Sequence, residues 1–158
     1  MIRKAEKRDI PGLIALLYQA DAVHHALRPD LFKNNTPKYD ERELEAIIDR
    51  EDTPVFVYDD GKIEGHAFCQ ITQVRDHRLL QDRKTLYIDD ICVDEAARGL
   101  GVGRALYAHI LAHARQKGCY NVTLNVWTCN PGAMQFYEKL GLEPYRVGME
   151  MILGAVKK

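Results

Sequence analysis

The segment from Asp94 to Gly118, DEAARGLGVGRALYAHILAHARQKG, places an arginine and three glycines between a predicted strand and a predicted helix. The strand is KTLYIDDICV, which ends at Val93, and the helix begins near Gly103 and ends with Gly118 at its C-cap. The backbone N–H groups at the start of such a helix have no acceptor within it and lie at the positive end of its dipole. This turn therefore predicts a phosphate site.

Arg98, Gly99, Gly101 and Gly103 favour phosphate binding over a simple tight turn. Glycine lets an anion approach the backbone closely and Arg98 can add a charge-assisted hydrogen bond, whereas a turn alone needs one glycine. The segment is not a P-loop, because Arg-Ala rather than Lys-Ser/Thr follows Gly103. It also fits a dinucleotide fold badly, because GLGVG has the spacing G-x-G-x-G and lies late in a short chain.

The rest of the chain alternates strands and helices. Strands are predicted in MIRKA, in the hairpin PVFVYDDGKIEGHAFCQITQV with its turn at Asp60-Gly61, in NVTLNV and in EPYRVGMEMIL; helices are predicted in DIPGLIALLYQA, ERELEAIIDR and NPGAMQFYEKLG. Asp9 and Asn130 are the expected N-caps of two helices. The stretch HHALRPDLFKNNTPK predicts a loop or a broken helix. No repeat or linker is visible, so we expect a single domain over residues 1–158.

The strand KTLYIDDICV changes the phase of its alternation. Leu86 and Ile88 would share one face of a regular strand, whereas Ile91 and Val93 would share the other. A β-bulge near Asp89-Asp90 produces such a change, although a strand buried on both faces would also tolerate the pattern. We favour the bulge.

Composition excludes several classes of protein. Lys plus Arg (22) nearly balances Asp plus Glu (23), so no nucleic-acid or membrane partner is indicated. The four cysteines show no C-x-x-C spacing, which favours reduced thiols in a cytoplasmic protein and indicates no metal site. The N-terminus has no apolar signal region, and no stretch approaches the roughly 18 apolar residues of a membrane span. A small-molecule partner is expected.

At this point the residues resemble a known family. RGLGVG matches the Arg/Gln-x-x-Gly-x-Gly/Ala pattern of the GNAT superfamily of acyl-CoA-dependent N-acetyltransferases. The strands YIDDICV and NVTLNVW and the helix NPGAMQFYEKLGL resemble its neighbouring motifs in order and spacing over residues 85–143. Before residue 55 only the order of elements agrees. The resemblance implies an α/β fold: a mixed, twisted central sheet with a bulged, splayed central strand and helices on both faces.

The resemblance also implies acetyl-CoA as co-substrate. Its pyrophosphate would lie on the turn from Arg98 to Gly103, here called the glycine turn. Its pantetheine arm would run along the bulged strand like an added strand. The residues implied in binding are Ile91, Cys92, Val93, Arg98, Gly99, Gly101, Val102, Gly103, Arg104 and Asn130. Asn130 can serve as helix cap and ligand at once.

Acetyl transfer to an amine needs a base and an acid. A primary amine is mostly protonated near neutral pH, and the departing thiolate benefits from a proton donor. Tyr137 holds the family's FY position and is the implied donor, although its ring could simply pack inside the helix. Asp89 resembles the base of some small-amine acetyltransferases, but it could instead order the bulge or pair with a lysine. Asp90 should point to the opposite face, so the two cannot share a proton.

Several alternatives remain open. The acceptor is expected to be a polyamine-like or amino-acid-like small molecule, or else a protein amine, and the fold could also serve as a non-catalytic acyl-CoA sensor. Direct attack in a ternary complex is favoured, with a covalent route through Cys92 as the minor alternative. His24-His25, the pair His109 and His113, and Trp127 are interpreted as structural. A homodimer is a reasonable expectation for the family.

Overall fold

A five-stranded mixed sheet is the centre of the structure, a computed structural model that describes residues 1–154. The strands lie in chain order: β1 (Ile2–Lys4), β2 (Val55–Asp59), β3 (Ile63–Val74), β4 (Arg83–Val93) and β5 (Asn121–Leu124). The first four pair antiparallel, whereas β5 is parallel to β4 because a helix connects them. The helices are α1 (Ile10–Leu27), α2 (Glu41–Ile48), α3 (Val102–Gln116) and α4 (Pro131–Lys139). Of the helices in residues 1–154, none is long and apolar enough to span a bilayer.

Helices cover both faces of the sheet, as predicted. On β2, Val55 and Val57 join a buried cluster that includes Leu13 and Leu17 of α1. Side chains alternate along a strand, so Phe56 points the other way. Its ring lies 4.7 Å from that of His109 on α3, measured between centroids. The sheet therefore has an α1/α2 face and an α3 face.

The bulge in β4 is confirmed. Phe68 of β3 pairs with Asp90, but the next residue, Cys69, pairs with Ile88, so Asp89 is an extra residue in β4. The extra residue resets the alternation, and the apolar residues on either side of it therefore point to the α3 face together. Ile91 shows this, because it pairs with Ala67, the neighbour of Phe56 across the sheet.

Helix α1 begins directly after Asp9, as predicted, but the side chain of Asp9 bonds elsewhere. Asp9 makes no side-chain cap on α1, which follows a short 3-10 turn over Lys7–Asp9. Its carboxylate instead accepts hydrogen bonds from the N–H of Glu6 and from Arg3, at 2.8 Å each. The side chain of Asp9 thus caps the preceding 3-10 turn, although Asp9 is also the residue directly before α1.

Helix α1 continues through His24 and His25 and ends at Leu27, inside the stretch predicted as a loop or a broken helix. Contacts with the following segment support this last turn. The His24 ring stacks on Phe32, with 4.9 Å between centroids, and His25 Nδ1 lies 2.8 Å from the Phe32 carbonyl oxygen. Both histidines are structural here.

The residues divide into two units, residues 1–125 and the chain from Val126 onward. The second unit contains α4, whose N-cap is Asn130 as predicted: its Oδ1 accepts from the N–H of Ala133 at 3.2 Å. The predicted strand EPYRVGMEMIL is wrong, because residues 143–153 form neither helix nor strand. Alternation alone does not make a strand without a paired neighbour, and Met149, in the middle of this stretch, is 93% exposed. One domain over 1–158 stays a prediction, and residues 155–158 lie outside the described part.

Gly65 on β3 allows α3 to approach the sheet closely. A Cβ atom at this position would lie 2.9 Å from Val102 Cγ1 and 3.1 Å from Leu106 Cδ1. Val102 and Leu106 belong to the first turns of α3, directly after the glycine turn. The glycine therefore helps to position that turn.

We predict that Gly65→Ala destabilises the fold by about 1–3 kcal/mol through overpacking. Thermal unfolding should show a melting temperature lower by several degrees. Gly132→Ala is the matched control, because the nearest atom to its added Cβ is Asn130 Oδ1 at 3.8 Å and alanine favours a helix. Equal melting temperatures for the two variants would contradict close packing at Gly65.

Candidate active site

The glycine turn has a backbone that favours glycine. Gly99 and Gly101 have φ values of 79° and 86°, in the left-handed region. A Cβ at either position would meet nothing within 4 Å among the described residues, so the turn leaves open space beside its backbone. Close approach of a ligand is therefore sterically possible, and the glycines are also conformationally required.

The start of α3 presents unsatisfied donors to this space. Gly101 is the N-cap residue and has no side chain to accept from the first turn. Its carbonyl oxygen accepts from the N–H of Ala105, and the N–H groups before Ala105 have no acceptor inside the helix. The Nε of Arg98 donates to the Val93 carbonyl oxygen at 3.3 Å, so the guanidinium side chain is tethered to the end of β4. These groups can bind an anion.

The edge of β4 next to β5 is partly unpaired. The parallel pairing ends where Ile88 meets Leu124. Within residues 1–154, the stretch from Asp89 to Val93 therefore lies beside no strand on that edge. This geometry can accept an extended chain as an added strand, as expected for Ile91, Cys92 and Val93. Bulge, open edge and glycine turn follow one another along the chain.

Asp89 carries two hydrogen bonds from a segment that sequence reasoning did not single out. Its Oδ1 accepts from Lys38 Nζ at 3.0 Å, and its Oδ2 accepts from the Tyr39 hydroxyl at 2.6 Å. Burial, then the hydrogen bond to Asp89, raises the pKa of Tyr39 above its usual value, so this phenol stays a neutral donor. Asp89 therefore pairs with a lysine, as the alternative interpretation of this residue expected.

Asp90 lies on the same face as Asp89, which corrects the prediction of opposite faces. Asp90 Oδ2 lies 2.7 Å from Nε2 of His66, a residue on the α1/α2 face of β3. Asp89 bonds Tyr39, whose ring lies 5.4 Å from that of Phe68 on the same face, measured between centroids. The bulge is the cause, because one extra residue cancels one alternation. No hydrogen bond joins the two carboxylates within residues 1–154.

Sequence patterns had no means of finding Lys38, Tyr39 and His66. Lys38 and Tyr39 come 50 or more residues before Asp89 in a segment rich in proline and asparagine. His66 looks like any polar residue in an apolar strand until the register places it beside Asp90. Long-range pairing alone brings these groups together.

Tyr137 and Asn130 belong to the second unit. The Tyr137 ring is half-buried in α4, and its centroid lies 5.1 Å from that of Phe136. Packing of the ring, the alternative to an acid role, therefore exists within α4. The acid role of Tyr137 and the ligand role of Asn130 stay predictions.

Cys92 is a poor nucleophile in this environment. Its thiol is buried, and Sγ lies 3.5 Å from the Leu16 carbonyl oxygen. Burial, and secondarily the charge of Asp90, raises the pKa of the thiol to about 12. Very little thiolate is therefore present near neutral pH.

His109 and His113 pack against an aromatic ring. Both imidazoles lie edge-on to Phe56, at 4.7 and 5.1 Å between centroids. Burial lowers the pKa of both imidazoles. Within residues 1–154, no group of three or more His, Cys, Asp or Glu side chains could hold a metal ion.

Residues 20–142 match the sequence profile of the acetyltransferase (GNAT) family. Glucosamine 6-phosphate N-acetyltransferase 1 of rice (Oryza sativa subsp. japonica) is 40% identical over 63 residues, covering 40% of this chain and 36% of that protein. N-acetyltransferase MJ1207 of Methanocaldococcus jannaschii is 27% identical over 147 residues, covering 92% and 62%. The match thus spans less than two thirds of both curated relatives.

A solved structure agrees over nearly the whole chain. The tetramutant of the BH1408 protein from Bacillus halodurans superposes with a TM-score of 0.92 at 31% identity. The superposition covers 97% of this chain and 99% of that one. The fold predicted from the sequence motifs is therefore confirmed.

We predict that the two donors to Asp89 contribute unequally to stability. Tyr39→Phe keeps the ring on Phe68 but removes a half-buried hydroxyl bonded to a charged group, so it should cost about 1 kcal/mol. Lys38→Met removes an ion pair whose lysine side chain is 46% exposed and should cost less than about 0.5 kcal/mol. Urea unfolding of both variants measures the difference. A larger loss for Lys38→Met would contradict this ranking.

Proposed function

Since the chain belongs to the acetyltransferase (GNAT) family, we propose that it transfers an acetyl group from acetyl-CoA to a primary amine of a small molecule. The proposal rests on three structural features that follow one another along β4 and the start of α3. The bulge at Asp89 is followed by an open strand edge and then by the glycine turn at Gly101. Together they suit an extended ligand that ends in a phosphate group.

The residues present fit acetyl-CoA. The first-turn N–H groups from Val102 to Arg104 would hold its pyrophosphate, and Arg98 would add positive charge. Main-chain groups of Ile91, Cys92 and Val93 would bind the pantetheine arm, with Asn130 as a further ligand. When bound, acetyl-CoA supplies an acetyl group activated as a thioester.

We place the amine of the acceptor on the α1/α2 face of the sheet, beside the bulge. Asp89 would attract the ammonium group of an acceptor and is the first candidate to accept its proton. For either role, Oδ1 must exchange the ammonium of Lys38 for that of the acceptor. Tyr137 is proposed to supply the proton that the departing thiolate takes up, because a phenol matches a thiolate in basicity.

Direct attack of the amine is preferred over a covalent enzyme. The buried thiol of Cys92, with its raised pKa, argues against a thiolate nucleophile at this strand. The acceptor class is proposed from charge: a carboxylate at the bulge suits a cationic amine, such as a polyamine or an amino acid. The rice relative's name adds an amino sugar phosphate to the compounds worth testing.

We also propose a cytoplasmic homodimer. The four cysteines form no disulfide with one another, which suits a reducing compartment. Sedimentation of the purified protein at several concentrations measures the oligomeric state. A monomer at every concentration would contradict the dimer.

Binding of acetyl-CoA is tested first, by thermal unfolding with and without the ligand. At about 100 times the dissociation constant, binding should add about 2.7 kcal/mol of stability and raise the melting temperature by several degrees. Gly101→Glu should lose this increase, because a carboxylate at the turn blocks and repels a pyrophosphate.

Gly118→Glu is the matched control. Gly118 lies just after the other end of α3, has a φ of 75°, and has no atom within 4 Å of its added Cβ among the described residues. The same backbone strain should therefore accompany an unchanged response to acetyl-CoA. If the wild type shows no increase, the acetyltransferase proposal fails.

The acid role is tested with Tyr137→Phe and a panel of amines: spermidine, glucosamine 6-phosphate, lysine and a peptide with a free N-terminus. Release of CoA thiol is followed with a chromogenic disulfide. Tyr137→Phe should lower kcat by about 100-fold or more while acetyl-CoA still raises the melting temperature. Tyr145→Phe is the control, because Tyr145 is 64% exposed outside any helix or strand. Full activity of Tyr137→Phe would contradict the acid role, and acetyl-CoA binding without any transfer would favour a sensor.

A further inference from the structure

His66 is a buried histidine with one unused ring nitrogen. Its side chain is 0% exposed, and its Nε2 lies 2.7 Å from Oδ2 of Asp90, which is 10% exposed. The other nitrogen, Nδ1, is buried and has no hydrogen-bond partner within residues 1–154. A buried polar atom without a partner costs about 1–3 kcal/mol, so its retention calls for an explanation.

The surroundings indicate the protonation state of the pair. Burial of Asp90 works to raise its pKa, but the hydrogen bond from His66 outweighs it, so the pKa lies below its usual value. An ionised carboxylate only accepts hydrogen bonds, so Nε2 carries the shared proton. The His66 ring packs edge-on against Phe68, at 4.8 Å between centroids, and a second N–H there would bury a charged donor without an acceptor. A neutral imidazole beside an ionised carboxylate follows.

Asp90 differs from Asp89 because one of its carboxylate oxygens accepts no hydrogen bond from the described residues. Both oxygens of Asp89 are occupied, by Lys38 and by Tyr39. In Asp90, Oδ2 accepts from His66, while Oδ1 has no donor within residues 1–154 and is not among the buried unpartnered atoms. Oδ1 is therefore not fully enclosed, on the face that both carboxylates share.

We propose that Asp90, oriented by His66, replaces Asp89 as the group that accepts the proton of the acceptor amine, while Asp89 holds the segment of Lys38 and Tyr39 and contributes negative charge. This inference rests on the proposed function and deepens it. His66 is a positioning residue, because it acts through Asp90.

The proton transfer balances without another reactant. The ammonium of the acceptor gives a proton to Oδ1 of Asp90, and the nitrogen lone pair forms the amide bond as the carbon–sulfur bond breaks. The sulfur leaves with the electron pair of that bond and takes up a proton from Tyr137, and the second proton that the nitrogen loses on becoming an amide restores the phenol. Asp90 becomes a neutral acid, keeps its hydrogen bond to His66, and later returns the proton to water.

The titratable and charged groups around the pair come from three elements: His24 of α1, Lys38 and Tyr39 before α2, and Asp89 and Cys92 of β4. Tyr39 and Cys92 both have raised pKa values and stay neutral near pH 7. Lys38 and His24 act on Asp90 in the same direction as His66, which favours its ionised form.

The first test uses the protein without ligand and needs no activity. Nitrogen NMR of labelled histidine should show one imidazole, missing from His66→Gln, that has a protonated Nε2 and an unprotonated Nδ1. Asp90→Asn should shift this signal. A His66 whose proton lies on Nδ1 and not on Nε2 would overturn the proposal.

The second test measures kcat/KM against pH with acetyl-CoA and the fastest amine of the panel. Asp90→Asn should lose about 100-fold or more in kcat while acetyl-CoA still raises its melting temperature. In His66→Leu, burial acts on Asp90 without its donor, so the carboxyl pKa rises and the acid limb of the profile should move to higher pH. His66→Gln, whose amide can still donate, should stay near the wild type and shows that the site tolerates substitution.

His113→Gln is the matched control, since His113 is also buried and its Nε2 also lacks a partner among the described residues. It should not move the acid limb. An active Asp90→Asn beside an inactive Asp89→Asn would overturn this proposal and leave the proposed function intact. A wild type that binds acetyl-CoA but acetylates no amine would contradict the proposed function, and this inference with it.

Discussion

One extra residue in β4 organises the site. Because Asp89 has no partner of its own on β3, the strand alternates differently before and after it. Apolar residues before and after the bulge consequently point to the α3 face, and Asp89 and Asp90 both point to the α1/α2 face. Pairing with β5 also ends at Ile88, directly before the bulge. The packing of β4 toward α3, the side on which Asp89 and Asp90 lie, and the open edge of β4 are thus all found at the bulge.

Charge near the bulge is balanced locally by groups from distant parts of the chain. Lys38 and Tyr39 hold Asp89, and His66 holds Asp90. Each carboxylate is thereby hydrogen-bonded in a partly apolar setting, where burial of an unpaired carboxylate would cost free energy. The division of partners leaves one acid occupied and the other with a free oxygen, and this asymmetry underlies the assignment of different roles.

The glycine turn depends on a glycine elsewhere in the sheet. Gly65 lets Val102 and Leu106 pack close to β3, and α3 then begins directly above the end of β4. A helix terminus is a useful anion site only where its N–H groups face open space, as they do beside Gly99 and Gly101. The anion site therefore combines local backbone geometry with long-range packing.

Local patterns were sufficient for β1 to β5, the four helices, the bulge and the glycine turn, because each depends on neighbouring residues. They failed at EPYRVGMEMIL, where alternation had no strand to pair with among the described residues, and they missed the 3-10 turn that the side chain of Asp9 caps. The side on which Asp89 and Asp90 lie, and their partners Lys38, Tyr39 and His66, required the tertiary structure. These contacts join residues 24 to 51 positions apart, and only strand register and the packing of the segment before α2 bring them within hydrogen-bond distance.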